Sequence, residues 1–151
     1  TPDSRDVCGI ALHHAIDMNQ QRLALDLIEY PGCDLTLQHR LKNHEESIPL
    51  ILAAKRNRQE VTEKLLKCDG VDVNATDSSG GTAFHAAARY GSLAAMSALL
   101  EDARLVKDAR DKRGLTAMGT AFLYEQIDAM QRMHANGILL DLLDIARAGS
   151  R

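Results

Sequence analysis

The sequence predicts an all-α protein in which similar helical units stack into an array. The segment that begins at Thr82 has a counterpart 34 residues later, at Thr116, and another 34 residues earlier, at Ile48. A fixed period of this size is typical of repeat proteins. A fainter copy begins at Ile10. The chain is 45% hydrophobic but only 3% aromatic, which suits a helical core built from Ala, Leu, Val and Met.

The third unit shows the pattern most clearly. Its hexapeptide, residues 82–87, reads Thr-Ala-Phe-His-Ala-Ala, and a turn-forming segment, residues 77–80, precedes it. Gly91 is predicted to end the first helix, and the second helix carries apolar residues at helical spacing, namely Leu93, Met96, Leu99 and Leu100. One such helix pair cannot bury its own apolar stripe, so the units are expected to stack against each other.

The hexapeptide resembles the T-P-L-H-x-A signature of ankyrin repeats, in which a β-turn finger precedes two antiparallel helices over about 33 residues. The resemblance implies an all-α solenoid of helix-turn-helix units with β-turn fingers, in a right-angled stack. It implies one ankyrin repeat domain, 1–151, with about four repeats at approximately residues 5–38, 43–76, 77–110 and 111–144.

The first two units depart from the regular spacing. The first keeps Leu12 and His13 of the hexapeptide, and the second keeps Pro49. The step between these units is 38 residues, and we expect the extra residues within 31–47, where a Pro-Gly pair breaks the helix and a longer finger or loop follows. The second finger, residues 43–46, has no Gly at the tight turn, so we expect its shape to differ from that of the others.

The fourth unit is assigned by its spacing. It keeps Thr116, but it has Gly119 where the third unit has His85. It also has Glu125 at the helix break, where the third unit has Gly91. The helix is predicted to end there despite the change.

The last residues allow two interpretations. Residues 145–151 fall where a fifth finger is due, which predicts a partial repeat and a chain cut from a longer array. Alternatively, the apolar residues near the end have the spacing of a short amphipathic helix that caps the stack: Leu139, Leu140, Leu142, Leu143 and Ile145.

The recurring positions within the repeats have physical roles. The hydroxyls of Thr82 and Thr116 are expected to accept hydrogen bonds from backbone N–H groups of the first helical turn. Ala86 and Ala87 are small enough for neighbouring helices to approach closely. Gly80 permits the positive φ of a finger turn.

The cysteines predict a reducing compartment, the cytoplasm or the nucleus. Cys8, Cys33 and Cys68 are odd in number and lack C-x-x-C spacing, so the sequence suggests neither a disulfide framework nor a zinc site. The longest apolar run, residues 48–54, is too short to span a bilayer, so no membrane insertion is expected.

The histidines and glycines do not indicate catalysis. The resemblance implies that His85 is a structural hydrogen-bonding residue. His13 and His14 are adjacent on a helix and point about 100° apart, which is poor geometry for chelating a metal. The Gly-Gly pair at residues 80–81 belongs to a finger turn rather than to a phosphate-binding loop.

The paired carboxylates are predicted to be solvated. They are Glu45 with Glu46, and Asp141 with Asp144, and they fall in loops or on exposed faces. We therefore predict a protein that is not an enzyme, with no cofactor, no metal and no small-molecule substrate.

The resemblance implies that function lies on a concave groove formed by finger tips and the exposed side of the first helices. Carried over by position, the groove consists of Asp17, Met18, Lys55, Arg56, Ser78, Ser79, Arg89, Tyr90, Lys112, Arg113, Leu115, Leu123 and Tyr124, with His44, Glu45 and Ser47 from the second finger. Five of these residues are cationic and two are tyrosines, and Arg and Tyr are residue types that anchor interfaces. We predict a monomer that binds an acidic or mixed-charge protein segment.

Three other interpretations stay open. The cations can be ordinary solvated surface. The array can also be a regulatory or substrate-docking segment of a larger enzyme or channel. Nucleic-acid binding through the cationic stripe is disfavoured by the net charge of -3.

One residue is a candidate for modification. The resemblance implies that Asn74, in Asp-Val-Asn, is a target of an asparaginyl hydroxylase. The alternative, which we favour, is that its side chain only holds a turn through hydrogen bonds to the backbone.

Overall fold

The computed structural model describes residues 4–41 and 46–149, and these form helices in two layers. The helices are α1 (Ser4–Asp17), α2 (Gln21–Glu29), α3 (Pro49–Lys55), α4 (Gln59–Leu66), α5 (Ala83–Tyr90), α6 (Leu93–Leu100), α7 (Ala117–Leu123), α8 (Ile127–Ala135) and α9 (Leu142–Gly149). The odd-numbered helices pack side by side in one layer, and α2, α4, α6 and α8 form the other. The predicted all-α solenoid is confirmed.

The strands within these ranges are very short. They are β1 (His39–Arg40) and β2 (Glu46–Ser47), which pair in antiparallel fashion beside the second finger. The finger between them, including the predicted contacts His44 and Glu45, lies outside the described residues.

The threonines cap the first helices as predicted. The hydroxyl of Thr82 accepts from the backbone N–H of His85, and the His85 ring accepts from the backbone N–H of Thr82, which completes a capping box. In the next repeat, Thr116 Oγ1 accepts from the backbone N–H of Gly119 at 3.1 Å. These bonds satisfy backbone donors that the helix itself leaves without partners.

A left-handed residue follows each first helix of the four helix pairs. The φ angles are 56° at Asn19, 57° at Asn57, 65° at Gly91 and 57° at Glu125. Glu125 adopts this conformation although a residue with Cβ carries a penalty of roughly 1–2 kcal/mol there. The break at Glu125 was predicted from spacing, and the packing of the repeat imposes it.

Alanines allow the odd-numbered helices to lie close together. Ala53, Ala54, Ala87 and Ala121 are completely buried at their contacts. Larger apolar residues, among them Phe84, fill the space between the layers. A larger side chain at one of these alanines would overpack the interface.

The prediction that the cysteines stay unpaired is wrong for two of them. Cys8 in α1 and Cys33 form a disulfide, while Cys68 is a free thiol. The insertion after α2 folds back on α1, where Asp34 N–H donates to the carbonyl of Arg5. The two cysteines are 25 residues apart and meet only through this tertiary contact, which spacing rules do not detect.

The carboxylates at the end of the chain have different environments. Asp141 is exposed, as predicted, and its Oδ1 accepts from the backbone N–H of Asp144, at the start of α9. Asp144 is 1% exposed, so the prediction that it is solvated is wrong. It accepts from the backbone N–H of Thr116 at 3.1 Å and from the Thr116 hydroxyl at 2.7 Å. Glu46 is exposed, and Glu45 is not described.

Helix α9 packs on α7, with Asp144 and Ala148 buried in the contact. Residues 145–149 continue this helix and do not form a finger turn. The apolar residues of the predicted amphipathic helix are largely exposed, and Leu142 is 83% exposed. The capping role of α9 stays a prediction.

Candidate functional site

A cleft of about 200 Å³ lies between the finger turns and helices α3, α5 and α7. Its walls and floor bring together ten of the residues predicted for the groove, namely Ser47, Lys55, Ser79, Arg89, Tyr90, Lys112, Arg113, Leu115, Leu123 and Tyr124. The finger residues reach the cleft because Gly80 and Gly114, at φ 76° and 79°, turn the chain sharply back. We call this cleft the groove.

Other predicted residues lie outside the groove. Arg56 Nε is 2.9 Å from Asp17 Oδ1, and this ion pair joins the ends of the first two odd-numbered helices. Met18 is exposed beyond the groove. Ser78 lines a separate, polar cavity beside the second finger, which it shares with Ser47.

Leu115 belongs to the floor of the groove and is not a surface contact. Its side chain is 1% exposed, and its carbonyl accepts from His85 Nε2 at 2.8 Å. The prediction that Leu115 contacts a partner is therefore wrong for its side chain, because the stacking of the fourth repeat covers it.

Cations and tyrosines form a continuous chain along the groove. The Nζ atom of Lys55 is 5.2 Å from the ring centre of Tyr90. The guanidinium carbon of Arg89 is 5.1 Å from the ring of Tyr90 and 4.9 Å from that of Tyr124. Arg113 donates to the Tyr124 hydroxyl at 3.4 Å. The three cation-to-ring distances are within the range of cation–π attraction, which holds the side chains of Lys55 and Arg89 against the helix surface.

The groove cations form no ion pair with a carboxylate within the described ranges, whereas several cations elsewhere do. Ion pairs there engage Arg56, Lys64, Arg104 and Arg110. No such pair is formed by the four cations of the groove, which are Lys55, Arg89, Lys112 and Arg113.

The carboxylates in the groove are largely committed to the fingers. Asp77 accepts from the backbone N–H groups of Ser79 and Gly81, and Asp111 accepts from those of Arg113 and Leu115. These aspartates were not among the residues predicted for the groove, although they recur at the same 34-residue period. Their position at the base of each finger was the available signal.

His39 lines the groove near the second finger, and its pKa is lowered from the ordinary value. Burial is the main cause, and the nearby His13 and His14 lower the pKa further, against the effect of Glu46. The lowered pKa favours the neutral imidazole.

The histidines of the repeats have structural roles, as the resemblance implied for His85. The Nδ1 atom of His85 accepts from the backbone N–H of Thr82, so its Nε2 carries the proton that bonds the carbonyl of Leu115. Both ring nitrogens of His13 are 2.9 Å from carbonyl oxygens, those of Gly9 and Ser47. Within residues 4–41 and 46–149, no cluster of three or more metal-ligating side chains occurs.

Asn74 connects successive repeats. Its Nδ2 donates to the carbonyl of Arg104, and its Oδ1 accepts from the backbone N–H of Val106, both at 2.8 Å. These bonds support the predicted turn-holding role. Hydroxylation of Asn74 stays a prediction.

No helix in the described part of the chain is both long enough and apolar enough to cross a membrane. The family model of ankyrin repeats matches residues 50–144 in three copies. This segment contains α3 from its second residue and all of α4 to α8, and with them the helical walls of the groove.

Two relatives share parts of the sequence. The chain is 38% identical to NF-kappa-B inhibitor delta of Mus musculus over 84 residues, which are 55% of this chain and 25% of that protein. It is 46% identical to the transient receptor potential cation channel subfamily V member 6 of Rattus norvegicus over 55 residues, which are 36% of this chain and 7% of that protein. The chain thus spans a quarter or less of each relative. With the family match over more than half of its length, the chain belongs to the ankyrin-repeat family.

Proposed function

We propose that this protein is a non-catalytic module that binds an acidic or mixed-charge segment of a partner protein in the groove. Ankyrin repeats generally mediate protein–protein interaction. The observation that carries the proposal is the set of four cations that face one cleft without carboxylate partners in the described residues. A partner carboxylate supplies the missing counter-charge.

The aromatic residues of the groove support the same proposal. Tyr90 is 43% exposed, and its ring is available beside the cations that it contacts. Tyr and Arg are enriched at the centres of protein interfaces because they combine apolar area with directional hydrogen bonds. The finger residues Ser79 and Lys112 complete the opposite wall.

A peptide selection tests the proposal even though the partner protein is unidentified. A displayed library of randomised peptides is selected on the purified protein, and the affinity of the best peptide is measured by calorimetry. We expect enrichment of Asp and Glu. Selected peptides without acidic enrichment would contradict the proposal.

Two charge-reversal variants then locate the binding surface. Lys55→Glu with Lys112→Glu alters the groove, and Lys67→Glu with Lys107→Glu alters exposed cations that do not line it by the same net charge. The groove variant is expected to weaken binding by about tenfold or more, and the control by less than about twofold. The unfolding midpoints of both variants are measured as a control, and we expect both variants to fold. Equal losses would contradict groove binding.

The affinity of single-stranded DNA for the wild-type protein and for the groove variant tests nucleic-acid binding. The affinity of single-stranded DNA for a basic stripe falls steeply with salt, because bound counterions are released. The groove contains Glu46, Asp77 and Asp111 among its cations, and these oppose a polyanion. We expect DNA to bind the wild-type protein no more tightly than it binds the groove variant.

A second proposal concerns the context of the module. The chain resembles a short segment of a channel subunit and a quarter of an NF-kappa-B inhibitor. This supports a regulatory or docking role within a larger protein, and the sequence of the full-length transcript tests it. A monomeric state and a cytoplasmic or nuclear location are also proposals. The cysteines do not support the location, since Cys8 and Cys33 are paired.

A further inference from the structure

Arg89 occupies the central position among the groove cations. It lies in the last turn of α5, the middle odd-numbered helix of the groove, and it contacts the ring of Tyr90 beside it and that of Tyr124 on α7's C-terminal side. Its backbone carbonyl accepts from Gln126 Nε2 at 2.9 Å, which joins the end of α5 to the next repeat. The guanidinium itself contacts aromatic rings of two successive repeats.

Contacts with two rings restrict the guanidinium more than the other cations. A planar guanidinium that lies against aromatic faces keeps its N–H edges available for acceptors in its own plane. Lys55 contacts one ring through a rotatable ammonium group, and no cation–π contact involves Lys112 within the described residues. Arg113 already donates one N–H to the Tyr124 hydroxyl. Of the groove cations, Arg89 is thus the best prepared for a directional, two-bond contact.

We propose that Arg89 determines the specificity of the groove by binding one Asp or Glu carboxylate of an extended partner segment through paired N–H···O bonds. This inference rests on the proposed function and names the partner group that the site recognises. The other groove cations attract the acidic segment without selecting the position of that carboxylate.

The charge of the groove favours a carboxylate over a phosphate. Four cations line it together with three carboxylates, Glu46, Asp77 and Asp111, which leaves a net charge of +1 when the histidines are neutral. A single carboxylate matches this charge. A phosphate monoester carries a charge of about -2 at neutral pH, so it leaves one negative charge uncompensated in the groove.

The test combines a charge-conserving substitution with changes in the peptide. The probe is the highest-affinity acidic peptide from the library selection, in which each Asp or Glu is replaced in turn by Asn or Gln. The protein variant is Arg89→Lys, which keeps the charge and removes the planar fork. Arg22→Lys, an exposed arginine on α2 outside the groove, is the matched control.

Arg89→Lys is expected to weaken binding of the unmodified peptide by about tenfold, and Arg22→Lys is expected to weaken it by less than about twofold. One amide substitution in the peptide is expected to produce a similar loss with the wild-type protein and a smaller loss with Arg89→Lys, where only the charge attraction remains. Equal affinities of Arg89→Lys and wild type, or losses spread evenly over all acidic positions, would overturn the inference.

A phosphoserine at the sensitive peptide position distinguishes the two anions. We expect it to bind more weakly than Glu, and tighter binding would overturn the carboxylate assignment. The proposed function fails separately, when the Lys55→Glu, Lys112→Glu variant keeps full affinity. Loss of binding in that variant with an unchanged Arg89→Lys affinity refutes only the role of Arg89.

Discussion

Asp144 occupies the space that a side chain at residue 119 would need: a Cβ built on Gly119 lies 2.5 Å from Asp144 Oδ1. The histidine of the preceding repeat, His85, is replaced by Gly119 in the sequence, and the structure explains the change. The carboxylate of Asp144 provides the hydrogen bonds to Thr116 at the head of α7. Here α9 contributes a polar side chain where the preceding repeat uses its own histidine.

Gly119→Ala is expected to destabilise the protein by about 1–3 kcal/mol, because the new methyl group overlaps the Asp144 carboxylate. Urea denaturation monitored by circular dichroism measures the change. Gly149→Ala is the control, since a Cβ there meets no atom within 4 Å. Equal stability of the two variants would show that α9 does not dock through Asp144.

His85→Ala is expected to lower the free energy of unfolding by about 2–4 kcal/mol, because it removes a buried ring and leaves the Leu115 carbonyl and the Thr82 N–H without partners. The exposed His134, replaced by Ala, serves as the control and should change stability by less than about 0.5 kcal/mol. A large loss of partner binding with unchanged stability would instead indicate a direct functional role for His85.

Asn74→Ala is expected to lower the free energy of unfolding by about 1–2 kcal/mol, since both side-chain hydrogen bonds to the next loop disappear. Asn74→Asp keeps an acceptor for the Val106 N–H but places an oxygen opposite the Arg104 carbonyl, so it should also destabilise. Unfolding experiments on both variants check this. Intact-mass analysis of natively expressed protein tests hydroxylation, which requires one added oxygen on Asn74.

Reduction of the Cys8–Cys33 disulfide is expected to lower the free energy of unfolding of the first helix pair by about 3 kcal/mol. The reason is that the disulfide closes a loop of 25 residues, which restricts the unfolded chain. Unfolding is compared with and without a phosphine reductant. A Cys68→Ser variant serves as the background, because the two paired cysteines are then the only ones in the chain. Identical transitions would contradict a stabilising disulfide.

Cys68 is expected to react slowly with iodoacetamide at about pH 8. Burial is the main cause that raises the pKa of its thiol. Less of the thiolate, which is the nucleophile, is therefore present at this pH. The reaction rate should rise with pH, and this rise should occur at higher pH than it does for free cysteine. A rate equal to that of free cysteine at each pH would show that the thiol is not buried.

The repeated features of the fold could be predicted because they recur at a fixed period in the sequence. The Thr82 cap requires residues within one helical turn, and the left-handed Glu125 follows from its place in the period. The disulfide and the burial of Asp144 could not be predicted, since each depends on a segment that returns from a distant part of the chain. The Arg56–Asp17 pair was missed for the same reason.

The candidate site was predictable in outline and not in detail. Period and resemblance together identified the cations of the groove, including Arg89 and Lys112. Which of these cations contact aromatic rings depends on how neighbouring repeats are offset, and that offset is a tertiary property. The same offset buries Leu115, which sequence position alone suggested was exposed.

Binding of an acidic segment in the groove is tested most directly by mapping backbone amide shifts with nuclear magnetic resonance. The selected acidic peptide is titrated into isotopically labelled protein. We expect the largest shift changes at Ser79, Arg89, Tyr90, Lys112 and Tyr124, with the helices α4, α6 and α8 little affected. The largest changes on α4, α6 and α8, with unchanged resonances at Arg89 and Tyr90, would contradict binding in the groove.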